Sequence, residues 1–199
     1  MKQVLAIGAA LILLGLPAAA RAQPPAVGLR AGINAADLSV SPTPTPEPGT
    51  LTGFTAGLFV TVPVSLLVAF QPEVLYSQQG TRFSQGGMTA KVHVDYLQVP
   101  LLGRFALGKT APVAVLVGPT LGIRTHASFK ADGVPDEFSQ DFEDQLERFD
   151  LGLTTGVAAD IGRLVLDGRY TWGLLNIAKD SGDDTAKHRV LSFTAGVRF

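Results

Sequence analysis

The feature that most constrains this chain is alternation. From Gly28 to the terminal Phe199, large apolar residues repeatedly stand one position away from small or polar ones. A strand sends successive side chains to opposite faces, so period two marks an extended segment whose faces meet different surroundings. At the C-terminus, Leu191, Phe193, Ala195, Val197 and Phe199 share one face, while Ser192, Thr194, Gly196 and Arg198 share the other. The same arithmetic holds for Leu29 to Asn34, Gly53 to Val62, Val113 to Ile123 and Asp150 to Ile161. Weaker versions cover Leu66 to Tyr76, Leu97 to Phe105 and Leu164 to Leu174, which completes a set of eight candidate strands. Several run to about 9–11 residues, the length that crosses a bilayer when tilted.

Composition narrows the surroundings. The chain has 199 residues, of which 46% are hydrophobic and only 17% charged, with 22 glycines. That is too apolar and too uncharged for a disordered polymer. Sixteen Lys and Arg face 17 Asp and Glu, so the basic excess of a nucleic-acid binder is missing. The absence of cysteine excludes disulfide scaffolds, thiolate metal sites and cysteine nucleophiles.

The first segment reads as an export signal. Lys2 precedes an apolar run from Val4 to Leu16, Pro17 breaks it, and Ala20-Arg21-Ala22 supplies the small-x-small pattern of a cleavage site. The run is shorter than the roughly 20 residues a spanning helix needs. Residues 1–22 are therefore expected to be a removed signal peptide and 23–199 the mature domain. Loss of Lys2 and Arg21 leaves 14 basic and 17 acidic residues, a mature charge of 14 − 17 = −3. Later apolar stretches, 57–70 and 111–123, are also short and contain Pro63 and Pro119, so a spanning helix is not expected.

Alternation alone does not say which face is outside. A ligand-binding soluble barrel would turn its apolar face inward. Here the small residues suit a crowded narrow interior and the bulky apolar ones suit lipid. Loop lengths decide between the two. Long connections (35–52, 78–90, 125–147 and 176–187) alternate with short ones at Pro63-Val64-Ser65, Gly108-Lys109-Thr110 and Gly162-Arg163. Long outer loops with short periplasmic turns are the pattern of an outer-membrane barrel. In that topology Phe54, Tyr76, Phe149 and Trp172 fall near the outer interface, and Phe105 and Phe199 near the inner one, as two aromatic girdles.

Parity sends eight charged residues into the lumen: Arg30, Glu73, Arg104, Asp150, Asp160, Asp167, Arg169 and Arg198. Eight strands enclose only enough space for side chains or one small ligand. Four acids and four bases confined there are expected to pair with one another. The alternative is a narrow path for ions or small solutes. A lipid-modifying enzyme would need a nucleophile, a base and an orienting acid within hydrogen-bond reach. His126 and Ser128 with Glu73 are the best trio, and His93 with Asp95 the next, but positions two apart on a strand are roughly 7 Å apart. No enzyme, cofactor or metal site is expected. The loop 41–49 (Ser-Pro-Thr-Pro-Thr-Pro-Glu-Pro-Gly) reads as stiff polyproline II. The third loop is acidic, and Phe138, Phe142 and Leu146 recur every four residues, as in a short amphipathic helix. Its acids lack the spacing of a calcium loop, and Gly28, Gly32, Gly53 and Gly57 are strand residues and no phosphate loop.

Five patches carry a family resemblance: Gln71-Pro-Glu-Val-Leu-Tyr76, Tyr96-Leu-Gln-Val-Pro-Leu-Leu102, Val117-Gly-Pro119, Phe149-Asp-Leu-Gly-Leu153 and Arg169-Tyr-Thr-Trp-Gly-Leu-Leu-Asn-Ile177. With the terminal Phe199, their order and spacing resemble the PorT-like outer-membrane β-barrel family, over most of the chain from Gly28 onward. Gln98 stands where many relatives carry an acid. The resemblance implies an eight-stranded barrel in a Gram-negative outer membrane. It also implies recognition of the terminal aromatic strand by the barrel-assembly machinery. Pro72, Pro100 and Pro119 lie inside strands, and bulges are expected to absorb them.

The expectation is thus an all-β, eight-stranded antiparallel transmembrane up-and-down barrel, exported and embedded in outer-membrane lipid. Its role is structural or interactive, with an ionic filled lumen and an unknown protein partner at four outer loops. It has no nucleic-acid partner.

Overall fold

A computed structural model describes residues 24–41, 49–85, 88–108, 112–131, 149–175 and 185–199. Eight strands close into one barrel in sequence order. They are β1 (Ala26–Ser41), β2 (Gly49–Pro63), β3 (Val68–Gln85), β4 (Met88–Ala106), β5 (Val113–Ala131), β6 (Phe149–Ile161), β7 (Leu164–Gly173) and β8 (Thr185–Arg198). All pairings are antiparallel, and β8 returns to β1 in unbroken register from Gly28↔Arg198 to Ser41↔Thr185. Among the described residues no helix is long and apolar enough to cross a membrane, so any crossing is made by strands. The expected signal peptide, the polyproline segment 42–48 and the acidic loop 132–148 lie outside the described residues.

Parity sorts the two faces. On β1, Val27, Leu29 and Ile33 are exposed on the wall, while Gly28, Arg30 and Asn34 are buried in the lumen. On β8, Leu191, Phe193 and Val197 face out and Val190, Thr194 and Gly196 face in. The lumen is nonetheless less purely small and ionic than alternation suggested. Phe59, Leu75, Tyr96, Leu102, Leu116 and Val165 are all buried inside it. Glycines give the space: a Cβ at Gly28 would fall 2.3 Å from the Phe59 ring and one at Gly196 3.1 Å from it.

Two further expectations are revised. The strands reach 19 residues in β4 and β5 and 18 in β3, well past the expected span. Segments read as loops, 78–85 and 125–131 among them, continue the ladder, as in Arg82↔Lys91 and Lys91↔Lys130. In this extension the buried inward positions Ser77, Gln79 and Thr81 are polar as well, so alternation of hydropathy fades while backbone pairing continues.

The prolines are accommodated without bulges of their own. Pairing lapses for two positions beside Pro72 on the β2 side, beside Pro100 on the β3 side and beside Pro119 on the β4 side, then resumes in the same register. A proline lacks one donor, and the strand on its other side pairs normally (Pro72↔Leu101, Pro100↔Thr120, Pro119↔Leu153). The register shifts fall elsewhere, between Thr50 and Thr55 and at Asp95/Tyr96.

The inner turns are tight. Ile161↔Leu164 closes a two-residue loop on Gly162, whose φ of 63° is a left-handed conformation that glycine adopts without steric cost. Between β2 and β3, the Ser65 hydroxyl accepts from the amides of Leu67 and Val68 at 3.3 and 3.1 Å.

Candidate functional site

The centre of the lumen is a closed ionic cluster built from three strands. Asp167 and Arg169 are two apart on β7 and so share the inward face; Glu73 comes from β3 and Arg30 from β1. Arg169 grips Glu73 with both terminal nitrogens, Nη1 to Oε2 at 2.7 Å and Nη2 to Oε1 at 2.9 Å. Its Nε donates to Asp167 Oδ1 at 2.7 Å. Arg30 Nη1 donates to Asp167 Oδ2 at 2.8 Å and lies 3.4 Å from Glu73 Oε1. Two acids and two bases therefore neutralise each other with side chains at most 5% exposed. Bidentate charge-assisted bonds of this kind are among the strongest a protein makes.

The carboxylates take further partners, while Arg30 Nε and Nη2 are buried without a hydrogen-bond partner. The Thr194 hydroxyl donates to Asp167 Oδ1 at 2.9 Å and Gln71 Nε2 donates to Glu73 Oε1 at 2.7 Å. The Arg30 guanidinium carbon sits 4.3 Å from the Phe59 ring centroid, a cation–π contact. Satisfaction of the carboxylates matters, because desolvating two ions costs more than their attraction returns unless the geometry is good.

A second cluster stands at the inner mouth. Arg104 Nη2 meets Asp160 Oδ2 at 2.6 Å and Arg198 Nη2 meets Asp160 Oδ1 at 2.9 Å. Gln71 joins the two clusters, accepting from Arg104 Nη1 at 3.4 Å while donating to Glu73. Outward of the centre, a hydroxyl chain links Thr120, Thr154 and Thr171 at 2.7 and 2.8 Å. Beside it lies a cavity of about 20 Å³ lined by residues including Thr55, Gln98, Pro100 and Arg169, room for about one water. Nearer the outer mouth, Asp150 Oδ2 lies 2.8 Å from His188 Nε2, and the Tyr96 ring lies 5.7 Å from that imidazole. Leu102, Leu116 and Ala158 pack as an apolar patch on the β4–β6 side.

Of the eight charged residues singled out in the sequence, Arg30, Glu73, Arg104, Asp150, Asp167 and Arg169 are buried, and Asp160 and Arg198 are half-buried at the mouth. Sequence reasoning missed His188, Tyr96, Gln71 and Asn34. The parity of β8, extended two residues past Val190, would have found His188. The parity of Glu73 would have found Gln71.

The six aromatic residues expected at the interfaces lie on the outer wall. Phe54, Phe105, Phe149, Trp172 and Phe199 are exposed and Tyr76 half-buried. Phe54 and Tyr76 rings are 5.5 Å apart, and Tyr170 meets Trp172 edge-on at 4.6 Å.

The trio weighed as an enzyme site is divided by the wall. Glu73 is inside, bonded to Arg169, while His126 stands opposite Asp95 on the outer face of the β4–β5 ladder. Asp95 Oδ2 there accepts from Tyr76 Oη at 2.8 Å. Among the described residues no three His, Asp or Glu side chains are grouped to hold a metal ion.

The fold has solved counterparts. Neisserial surface protein A superposes with a TM-score of 0.55 at 16% identity, covering 89% of this chain and 100% of that one. Ail, the attachment invasion locus protein of Yersinia pestis, superposes at 0.51 with 15% identity, over 89% of this chain and 100% of its own. At such identities the likeness is one of fold alone. No protein of curated function matches the chain in sequence. Residues 21–179 match the model of the outer membrane protein beta-barrel domain, which spans most of the chain. A closed eight-stranded barrel with an apolar wall and an ionic interior thus belongs to the outer membrane protein beta-barrel family, and its place is the outer membrane.

Proposed function

We propose that this barrel is a non-conducting outer-membrane protein with a structural or interaction role, whose working surface is its outer wall and hairpins. One observation carries the reading: Arg30, Glu73, Asp167 and Arg169 meet across the lumen with side chains at most 5% exposed. A conduit needs a continuous wet path, and this cross-section is filled by paired charge. Leu102 and Leu116, both 0% exposed, seal the adjoining side. The aromatic residues on the wall act as two girdles at the bilayer interfaces.

The finer family placement is with the PorT-like barrels, supported by the five sequence patches from Gln71 to Ile177 and by Phe199. Residues 1–22 direct export and are removed, and the β8 strand ending at Phe199 engages the barrel-assembly machinery. The chain catalyses no reaction in this reading.

Planar-bilayer recording with the refolded mature chain tests the central point. The expected trace is no reproducible single-channel step above the bare bilayer. Regular steps of fixed amplitude would establish the narrow-channel reading in its place.

A further inference from the structure

The outer wall from β5 round to β1 is ridged. Residues paired directly across neighbouring strands form rows at right angles to those strands. The row Ile161↔Leu164↔Val197↔Leu29 is bulky and exposed throughout. Two residues further from the short turns, the row Ala159↔Leu166↔Ala195↔Ala31 has alanine on three of its four strands. Beyond that, Val157↔Gly168↔Phe193↔Ile33 is bulky again except at Gly168. Between the two ridges lies a groove of about 550 Å³, with Ala31, Ala159 and Ala195 along its floor. On β7 the sizes are exchanged, so the groove steps around Leu166 through the gap at Gly168, with the Phe193 ring flanking that gap.

The course of the groove selects its occupant. Val113, the first residue of β5, stands beside Ala159 at one end, and Ala31, well inside β1, stands at the other. The groove therefore climbs from the inner interface toward the midplane. Four strand spacings give it a length of about 19 Å. Strands tilted by about 40° set the rows at about 50° to the bilayer normal, a climb of about 12 Å within the roughly 15 Å of one leaflet's hydrocarbon. Below its inner end, in the turn between β6 and β7, Arg163 is exposed and forms no ion pair among the described residues. It is four residues from Ala159, about 10 Å lower at the usual rise and tilt, while a headgroup layer is about 5–8 Å deep. A phosphate held by that guanidinium puts the first chain carbons at the mouth of the groove.

A second copy of the barrel does not nest there. Two barrels in one membrane are related by a two-fold axis along the bilayer normal, which gives the partner's ridges the opposite tilt. Ridge and groove then cross. A flexible chain also follows the step at Leu166, which a straight ridge cannot.

We infer that this groove holds one acyl chain of an inner-leaflet phospholipid whose phosphate is bound by Arg163. The inference rests on the outer-membrane placement with the short turns facing the periplasm, and is independent of whether the lumen conducts.

The test uses the folded mature chain in detergent micelles, with native mass spectrometry counting the lipid retained per barrel. Dioleoyl phosphatidylglycerol is titrated against dioleoylglycerol, which has the same chains and no phosphate, and lipopolysaccharide is a third arm. One phosphatidylglycerol per barrel is expected, held at least about tenfold more tightly than the diacylglycerol, the scale of one charge-assisted contact. A31L/A195L fills the floor with side chains that lipid tolerates. It should abolish retention while keeping the heat-modifiable gel shift of a folded barrel. V117L adds bulk on the β5 wall outside the groove and should retain lipid as the parent does. R163Q should bring phosphatidylglycerol down to the level of the diacylglycerol. Unchanged retention in A31L/A195L, no loss in R163Q, or equal binding of the two lipids by the parent overturns the inference. So does tighter binding of lipopolysaccharide, or a dimer that A31L/A195L dissociates, since the occupant is then an outer-leaflet glycolipid or a second copy. Steps in the bilayer recording would end the closed-lumen reading and leave these lipid ratios where they are, so the two failures are told apart.

Discussion

Two buried parts of the same lumen are built from opposite materials. On β1, β3 and β7 the central filling is Arg30, Glu73, Asp167 and Arg169; on β4, β5 and β6 it includes the apolar patch Leu102, Leu116 and Ala158, with Arg104 and Asp160 paired nearer the inner mouth. Leucine excludes water at no desolvation cost. The ionic side contributes something leucine does not: it penalises a slip. Moving β7 by one residue against β6 would turn Asp167 and Arg169 onto the lipid face. A basic residue there costs about 2–4 kcal/mol at the bilayer midplane. A leucine moved to the lipid face costs little, so the apolar side seals the barrel and the ionic side sets its register.

Substitutions can break or sharpen that contrast. Arg169→Ala should have the largest effect, because it leaves Glu73 and Asp167 sharing one cation. A loss of about 3–5 kcal/mol is expected for breaking a buried pair, read as urea unfolding in lipid vesicles with the single tryptophan, Trp172, as reporter. Leu116→Ala removes apolar packing only, and its cost should fall toward the lower end of about 2–5 kcal/mol. If it exceeded the arginine variant, the division of labour would be wrong. Glu73→Leu combined with Arg169→Met deletes a matched pair and keeps Arg30 bonded to Asp167. It should unfold within about 1 kcal/mol of the parent. The same double variant should show slower or more heterogeneous refolding, since a register signal is gone. Thr154→Val opens the middle of the Thr120–Thr154–Thr171 chain and should cost about 1 kcal/mol.

Much of this contrast could be read in the residues beforehand, and the reason is physical. Period two is visible where the two faces of a strand meet two solvents, lipid and lumen, as from Leu191 to Phe199. The same signal assigned Asp167 and Arg169 to one face before any contact was known. It was silent past Gln78, where the inward Gln79 and Thr81 are polar like their outward neighbours and the ladder continues regardless. It also could not show which inward residues touch, because Glu73 and Arg169 are 96 positions apart and meet through closure of the barrel. The bulk of the inward Phe59 and Leu116 departs from the small-residue interior expected, for a related reason. Side-chain size on a face reports average crowding, and local space depends on a neighbour such as Gly28 on another strand. The prolines likewise pointed to bulges, whereas a ladder flanked on both sides can lose one bond and keep its register.

The seam between β1 and β8 carries a consequence for how the molecule comes into being. It joins the two ends of the chain, and the amide of Phe199 closes it on the carbonyl of Val27 at 2.8 Å. Until β8 arrives, β1 and β7 each present an open edge whose amides have no partner, a state that hydrocarbon does not tolerate. Partial assembly therefore has no resting place in the bilayer. Closure of this seam and burial in hydrocarbon are therefore expected to be coupled. A chain truncated before β8 would lose far more than one strand's share of the stability, because the step that completes the ring would be missing.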